Sequence, residues 1–263
     1  RRYNTIILPS GNPDLNNYTK EILIDWVKQG GTLIANNRAT RLIAAATDFG
    51  NTNLLSQTFD NTNSYNIDLM REIYSMNDDI VKSDVNSNKV NFDIKYPWES
   101  VEKVFTKEQL EMRDKWQALL MPSGSMVAAR SDQKHWLTFG TNELVPILYA
   151  NYPILMTGGN AEAPIRIGEL VQNDKVEETR VINWSQIPEG FDLNVRMSGL
   201  VWPEASQRIA NSAYLTREKI GKGQVILFSG EPNFRGSSIA TNRLWLNAVV
   251  YGSGLGTNSL VSQ

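Results

Sequence analysis

The sequence predicts a layered α/β fold: a mostly parallel sheet with an antiparallel extension and a helical insertion over about 51–117. Three observations carry that reading. Residues 1–47 alternate apolar runs with amphipathic stretches, in the order strand, helix, strand, helix. The apolar runs are continuous, as in strands covered on both faces. After residue 120, short β-rich runs separated by turn residues dominate.

The elements follow in order. Ile6-Ile7-Leu8 is a short buried strand that Pro9-Ser10-Gly11 stops. Asn16 or Asn17 caps a helix on which Tyr18, Ile22, Leu23 and Trp26 share a face, and Gly30-Gly31 ends it. Thr32-Leu33-Ile34-Ala35 is a second buried strand. Asn36-Asn37 turns it into a helix with Ala39, Leu42, Ile43 and Ala46 at helical spacing. Between 51 and 117 Asn, Asp and Ser become dense, yet two helices remain readable. One covers 68–76, with Leu69, Met70, Ile73 and Tyr74 on a face. The other starts at Thr106, where Thr106 and Gln109 form a capping-box pattern and Met112, Trp116, Leu119 and Leu120 a stripe. The aromatics Phe59, Tyr65, Tyr74, Phe92, Tyr96, Trp98 and Phe105 imply that this insertion packs on the rest.

Further strands are expected at 125–130, 136–139, 146–150, 154–156, 166–170, 180–182 and 197–202, then a short helix at 204–209. Segments 214–220 and 224–228 flank Gly221-Lys222-Gly223 as a hairpin. The last helix covers 239–251, with Leu244, Trp245, Ala248 and Val249 packing and Gly252 as its stop. The abrupt entry from Arg1-Arg2-Tyr3 into an apolar strand predicts a piece of a longer protein.

Composition removes whole classes of chemistry. The net charge is -2, which gives no electrostatic case for nucleic acid or an anionic membrane. No apolar run approaches the roughly 18 residues of a membrane span, so no membrane insertion is expected. There is no cysteine, hence no disulfide, thiolate nucleophile or Cys-ligated zinc. The lone histidine, His135, cannot supply a His-Glu-x-x-His zinc site. No cofactor is expected in this chain.

Ligands of parallel α/β sheets bind beyond the C-terminal strand ends. Ser10, Asn36, Asn37, Arg38, Glu231, Asn233 and Arg235 fall at such ends and form the candidate pocket; capping and turn formation would use the same residue types. A Ser-His-acid triad would need His135 with Ser10, Ser123, Ser125 or Ser229, none of which lies in Gly-x-Ser-x-Gly. Asp25, Glu143, Glu169, Glu177, Glu178, Glu204 and Glu231 could pair for glycoside chemistry, but their spacing pairs none of them. Gly221-Lys222-Gly223 lacks P-loop spacing, and Gly252-Ser253-Gly254-Leu255-Gly256 follows a helix and not a strand, so neither reads as a nucleotide site. Trp26, Trp116 and Trp245 lie on helical apolar stripes and read as core, whereas Trp98 and Trp202 are surface candidates.

Two sets of residues carry a resemblance. Ile7-Leu8-Pro9-Ser10-Gly11 followed by Trp26-Val27-Lys28-Gln29-Gly30-Gly31-Thr32-Leu33-Ile34-Ala35 resembles the class I glutamine-amidotransferase-like, flavodoxin-like layered fold. The stretch from Lys222-Gly223-Gln224 through Glu231-Pro232-Asn233-Phe234-Arg235-Gly236, with Thr241-Asn242-Arg243-Leu244-Trp245, is similar to the non-peptidase C-terminal region of zinc-carboxypeptidase-like metallopeptidases. Met121-Pro122-Ser123-Gly124-Ser125 and His135-Trp136-Leu137-Thr138-Phe139-Gly140 are similar to that region too. A working amidotransferase carries Cys in Gly-x-Cys-x-Gly; here Ala35-Asn36-Asn37-Arg38-Ala39 stands in its place, with Asn37 at the thiol position. The resemblance therefore implies a non-catalytic accessory domain whose partner is an upstream peptidase domain of the same polypeptide, with a structural, oligomerising or ligand-positioning role. It points to a secreted or periplasmic parent, while the lack of cysteine suits the cytosol as well. The alternatives are a hydrolase with an unrecognised Ser or carboxylate site, or a carbohydrate- or peptide-binding module.

Overall fold

The computed structural model describes residues 3–76, 105–176, 179–236 and 238–257. The chain opens with β1 (Thr5–Leu8), α1 (Asn17–Lys28), β2 (Thr32–Asn36) and α2 (Asn37–Ala44). Next come β3 (Thr52–Leu54), α3 (Thr62–Met76) and α4 (Lys107–Ala118). Then β4 (Ser125–Ser131), β5 (Leu144–Tyr149), β6 (Leu155–Thr157), β7 (Glu162–Ile167) and β8 (Glu169–Gln172) follow. The remainder is β9 (Arg180–Ile182), β10 (Ser185–Ile187), β11 (Phe191–Asn194), β12 (Arg196–Ser198), α5 (Pro203–Ile209), β13 (Ala213–Ile220), β14 (Gly223–Phe228) and α6 (Ile239–Tyr251).

One ten-stranded sheet runs β1-β2-β14-β13-β7-β4-β12, with β5 on β4 and the β6–β3 pair on β13. Among the described residues the parallel ladders are β1–β2 and β2–β14, where Ile7 faces Ile34 and Ile34 faces Ile226. Every other ladder between the named strands is antiparallel. The sheet is thus mixed, and the mostly parallel sheet expected from the sequence is corrected. The cause is connection length. Parallel neighbours need a crossover, which α1 supplies between β1 and β2. By contrast, β13 meets β14 through a tight turn at Gly221-Lys222, which permits only antiparallel pairing. Gly221 has φ +60, and a Cβ there would stand 2.7 Å from the Lys28 carbonyl oxygen, so the turn requires glycine.

Strands β2 and β14 are buried on both faces. Leu33, Ala35, Val225 and Leu227 pack with Leu23, Ile24 and Val27 of α1 and Ala39 and Ile43 of α2. Ile34, Ile226 and Phe228 join the larger core with Leu244 and Ala248 of α6. Local signals placed the helix starts. Asn16 caps α1 by accepting the Thr19 N–H at 2.9 Å. Thr106 and Gln109 exchange both capping-box bonds.

Other expectations are corrected. On α1 the buried residues are Leu23, Ile24 and Val27, whereas Tyr18 is 72% exposed and Ile22 is exposed too. On α4 the buried residues are Leu110 and Gln117; Met112, Trp116 (61% exposed) and Leu119 face outward. The reason is that α4 meets α5 through polar contacts. Arg208 Nε donates to Asp114 Oδ1 at 2.8 Å, and Gln117 Nε2 donates to Gln207 Oε1 at 3.4 Å. Trp26 and Trp245 are half-buried, and Trp202 is exposed as expected. The stretch read as an insertion is not purely helical, since β3 joins the sheet with Thr52 opposite Thr157. Segment 136–139 is a 3-10 turn and no strand. The expected strand at 166–170 is broken at Gly168, φ +102, where a Cβ would meet Leu193 Cδ1 at 2.6 Å. Phe92, Tyr96, Trp98, Glu177 and Glu178 lie outside the described residues.

Candidate functional site

β2 passes into α2 without a loop. Asn36 is extended at φ −134, and Asn37 turns the chain at φ 48. That left-handed conformation penalises most side chains by about 1–2 kcal/mol, and Asn tolerates it best after Gly. Thr40 Oγ1 donates to the Phe228 carbonyl at 2.8 Å and fastens α2 to the end of β14.

Here three of the seven expected pocket residues meet. Asn37 Nδ2 donates to Ser10 Oγ at 3.1 Å and to Glu231 Oε1 at 3.0 Å. One amide thus joins the segments that follow β1 and β14 to the tip of β2. Asn36 is buried, and its Oδ1 has no hydrogen-bond partner among the described residues. Ser229 Oγ, directly after β14, is a second buried atom of that kind. Arg38, Asn233 and Arg235 are exposed and make no bond to the Ser10–Asn37–Glu231 set. Arg235 instead lies over the Phe234 ring, 5.0 Å from its centroid, in a turn where Asn233 O accepts the Gly236 N–H. The structure thus brings Ser10, Asn37 and Glu231 together, whereas Arg38, Asn233 and Arg235, expected in the same pocket, lie outside that set.

Tyr149, Tyr152 and Tyr214, which the sequence did not single out, join Phe228 and Trp245 in an aromatic cluster next to the corner. Tyr152 packs on Gly230, where a Cβ would come within 2.5 Å of its ring. Burial pushes the Tyr152 phenol above its ordinary value, and the Glu231 charge adds to the rise against a hydrogen bond to the Glu231 backbone. Burial likewise pushes up Tyr149 and Tyr214. Tyr149 and Tyr152 meet edge to face at 5.2 Å, and Phe228 meets Tyr214 and Trp245 at 6.3 and 5.6 Å. Beside this stack opens a cleft of about 230 Å³ that includes Arg41, Asn151, Tyr152 and Arg208. Arg41 follows Asn37 by four residues on α2, so the two share a helix face. The only sequence signal for it was that spacing.

His135 has a different task. Its Nδ1 accepts the Leu137 N–H at 3.1 Å, and its Nε2 lies 3.2 Å from Glu162 Oε2. Both ring nitrogens are engaged in holding a turn. None of the candidate serines is its partner: Ser10 serves Asn37, and Ser125 Oγ donates to the Leu200 carbonyl at 2.8 Å. Among the described residues, no three His, Asp or Glu side chains are placed to hold a metal ion. No described helix is long and apolar enough to cross a membrane.

The chain is therefore a mixed α/β domain with a strained strand-to-helix corner built on an amide. No family model matches its sequence, and no curated protein matches it. A solved structure, the cytoplasmic protein STM3548 from Salmonella typhimurium, is similar at a TM-score of 0.39, with 9% identity over 95% of this chain and 72% of that one.

Proposed function

We propose that the chain is a non-catalytic accessory domain of a zinc-carboxypeptidase-like polypeptide, built on a flavodoxin- and amidotransferase-like scaffold whose reactive corner has become an anchor. Asn37 carries the reading. It holds the left-handed position at the tip of the β2–α2 turn. In scaffolds with a nucleophile elbow, that position presents the attacking atom. A carboxamide is no nucleophile, and this one is committed to Ser10 and Glu231. What the corner does is hold the ends of β1, β2 and β14 together.

The stretch 222–236 that resembles the peptidase-associated region supplies β14 and Glu231, so the resemblance and the corner coincide. Met112, Trp116 and Leu119 on α4 offer exposed apolar area for packing against the peptidase part or a second copy. Immunoprecipitation of the natural polypeptide with antibodies to this chain, followed by peptide mass spectrometry, tests the proposal. Peptides of a zinc-carboxypeptidase domain in the same polypeptide are expected. A polypeptide lacking such a domain overturns it. So does turnover of a peptide, amide or ester by the purified chain that a substitution at Ser10 or Glu231 abolishes.

A further inference from the structure

We propose that the cleft beside the Asn37 corner binds a small organic anion, a single carboxylate on a compact apolar body. The assignment does not depend on the peptidase partner. Its first support is position. Tyr152 in the cleft wall packs on Gly230, immediately after β14, and Arg41 lies one turn along α2 from the corner. The cleft thus lies beyond the C-terminal ends of the parallel strands, where α/β sheets take their ligands.

Its second support is unbalanced charge. Arg41 is exposed, and its guanidinium has no hydrogen-bond or ion-pair partner among the described residues. Arg208 gives Nε and Nη2 to Asp114 at 2.8 and 3.3 Å, which leaves Nη1 without an acceptor among them. Two guanidinium groups therefore line the cleft, and Asp114, bonded to Arg208, is the one carboxylate that pairs with either of them among the described residues. Glu231, at the corner, is engaged by the Asn37 amide. A ligand carboxylate would complete the set with charge-assisted bonds.

The third support is the wall. Leu54, Leu55, Pro153 and Ile154 add apolar atoms to a lining that is otherwise largely polar. A few convergent polar groups on an apolar surface fix the orientation of a small ligand. A free phosphate would leave those apolar atoms unused, whereas an aliphatic body covers them. The volume of about 230 Å³ limits that body to roughly the size of one amino-acid side chain with its carboxylate.

Calorimetric titration of the purified chain with N-acetyl-leucine, its neutral amide and inorganic phosphate tests the assignment. Saturable one-to-one binding of the acid is expected, with the amide at least about tenfold weaker. Arg41→Ala should weaken the acid at least about tenfold, the loss of a charge-assisted contact. Lys115→Ala, a surface charge on α4, should leave the affinity unchanged. Ala118, at the end of α4, also lines the cleft, so Ala118→Phe should fill it and abolish binding; Arg41→Ala alone decides the matter if that variant does not fold. No saturable binding of the acid overturns the proposal. So do equal affinities for acid and amide, or an Arg41→Ala variant that binds as the parent does. Phosphate that displaces the acid and still binds the Ala118→Phe variant marks an adventitious ion only, and overturns it too.

Discussion

Asn37 and Arg166 each tie several parts of the chain together with one side chain, and they do so by opposite physics. Asn37 is a neutral amide at a partly exposed corner of the parallel strands, with two bonds from a single nitrogen. Arg166 is a cation on β7 whose side chain is 5% exposed. Its Nε and Nη2 grip Glu72 of α3 at 2.6 and 2.7 Å, Nη2 also donates to Thr157 of β6, and Nη1 donates to the Asn211 carbonyl. The settings explain the choice. Between β1, β2 and β14 the registers are regular, so the backbone needs little help. Between β13 and β7 the register shifts just after Ala213, opposite Arg166, and the Arg166 side chain takes up a carbonyl close to that irregularity. A buried ion pair of this kind is weak evidence of stability, because desolvation opposes attraction, but removing one member exposes the full cost.

The comparison can be broken by removing each node in turn. Arg166→Ala should have the largest effect, about 3–5 kcal/mol in urea denaturation, because it strands the Glu72 carboxylate. Replacing the pair together, Arg166→Met with Glu72→Leu, should recover most of that loss. If the single and double variants are equally unstable, Arg166 acts through packing and not through charge. At the other node Asn37→Gly should cost only about 1 kcal/mol, since glycine keeps the left-handed turn and loses the bridge. Asn37→Ala should cost about 1–2 kcal/mol more through backbone strain. Equal effects of Gly and Ala would mean that the corner relaxes out of its conformation.

The neutral node was legible in the sequence and the ionic one was not. Asn36-Asn37 between an apolar run and a helical stripe is local, and the strand-end rule brought Ser10 and Glu231 to it from far along the chain. Asn16 and the Thr106–Gln109 box were readable for the same reason, since each cap spans three residues. Arg166 and Glu72 are 94 positions apart and lie in a register that no periodicity announces. The apolar stripe on α4 was read correctly as a stripe and wrongly as a buried one, because covering is a property of the neighbour. Here the neighbour, α5, presents Arg208 and Gln207. Tyr152 and Arg41 escaped notice because a cleft wall is assembled from separate elements.

The same contrast predicts where pH acts. Two carboxylates of the antiparallel half are displaced in opposite directions. Burial raises Glu218 of β13 above its ordinary value, against the hydrogen bonds it accepts from the Asn51 backbone and side chain. Its contribution to stability is therefore complete below the unfolded value of 4.5 and declines as pH rises through the folded one. Glu218→Gln should flatten that weakly acidic decline, while the loss of one acceptor lowers stability throughout. Chemical denaturation at a series of pH values reads both effects, and an unchanged slope would show that Glu218 is solvated.

Glu162 of β7 should give the smallest effect and the opposite sign. The His135 bond and then the Arg217 charge lower it, against a desolvation that raises it. A depressed carboxylate contributes stability above its unfolded value and loses it as pH falls through the folded one. Glu162→Gln should therefore make the acid limb of the stability curve shallower. Its side chain is 48% exposed, so solvent screening holds the change below about 1 kcal/mol. The effect should shrink further in high salt, as a half-exposed pair must. The buried Arg166–Glu72 pair should keep its coupling in the same salt, because little solvent reaches it. Equal salt sensitivity of the two pairs would place Arg166 in contact with water and remove the distinction between the ionic half and the neutral corner.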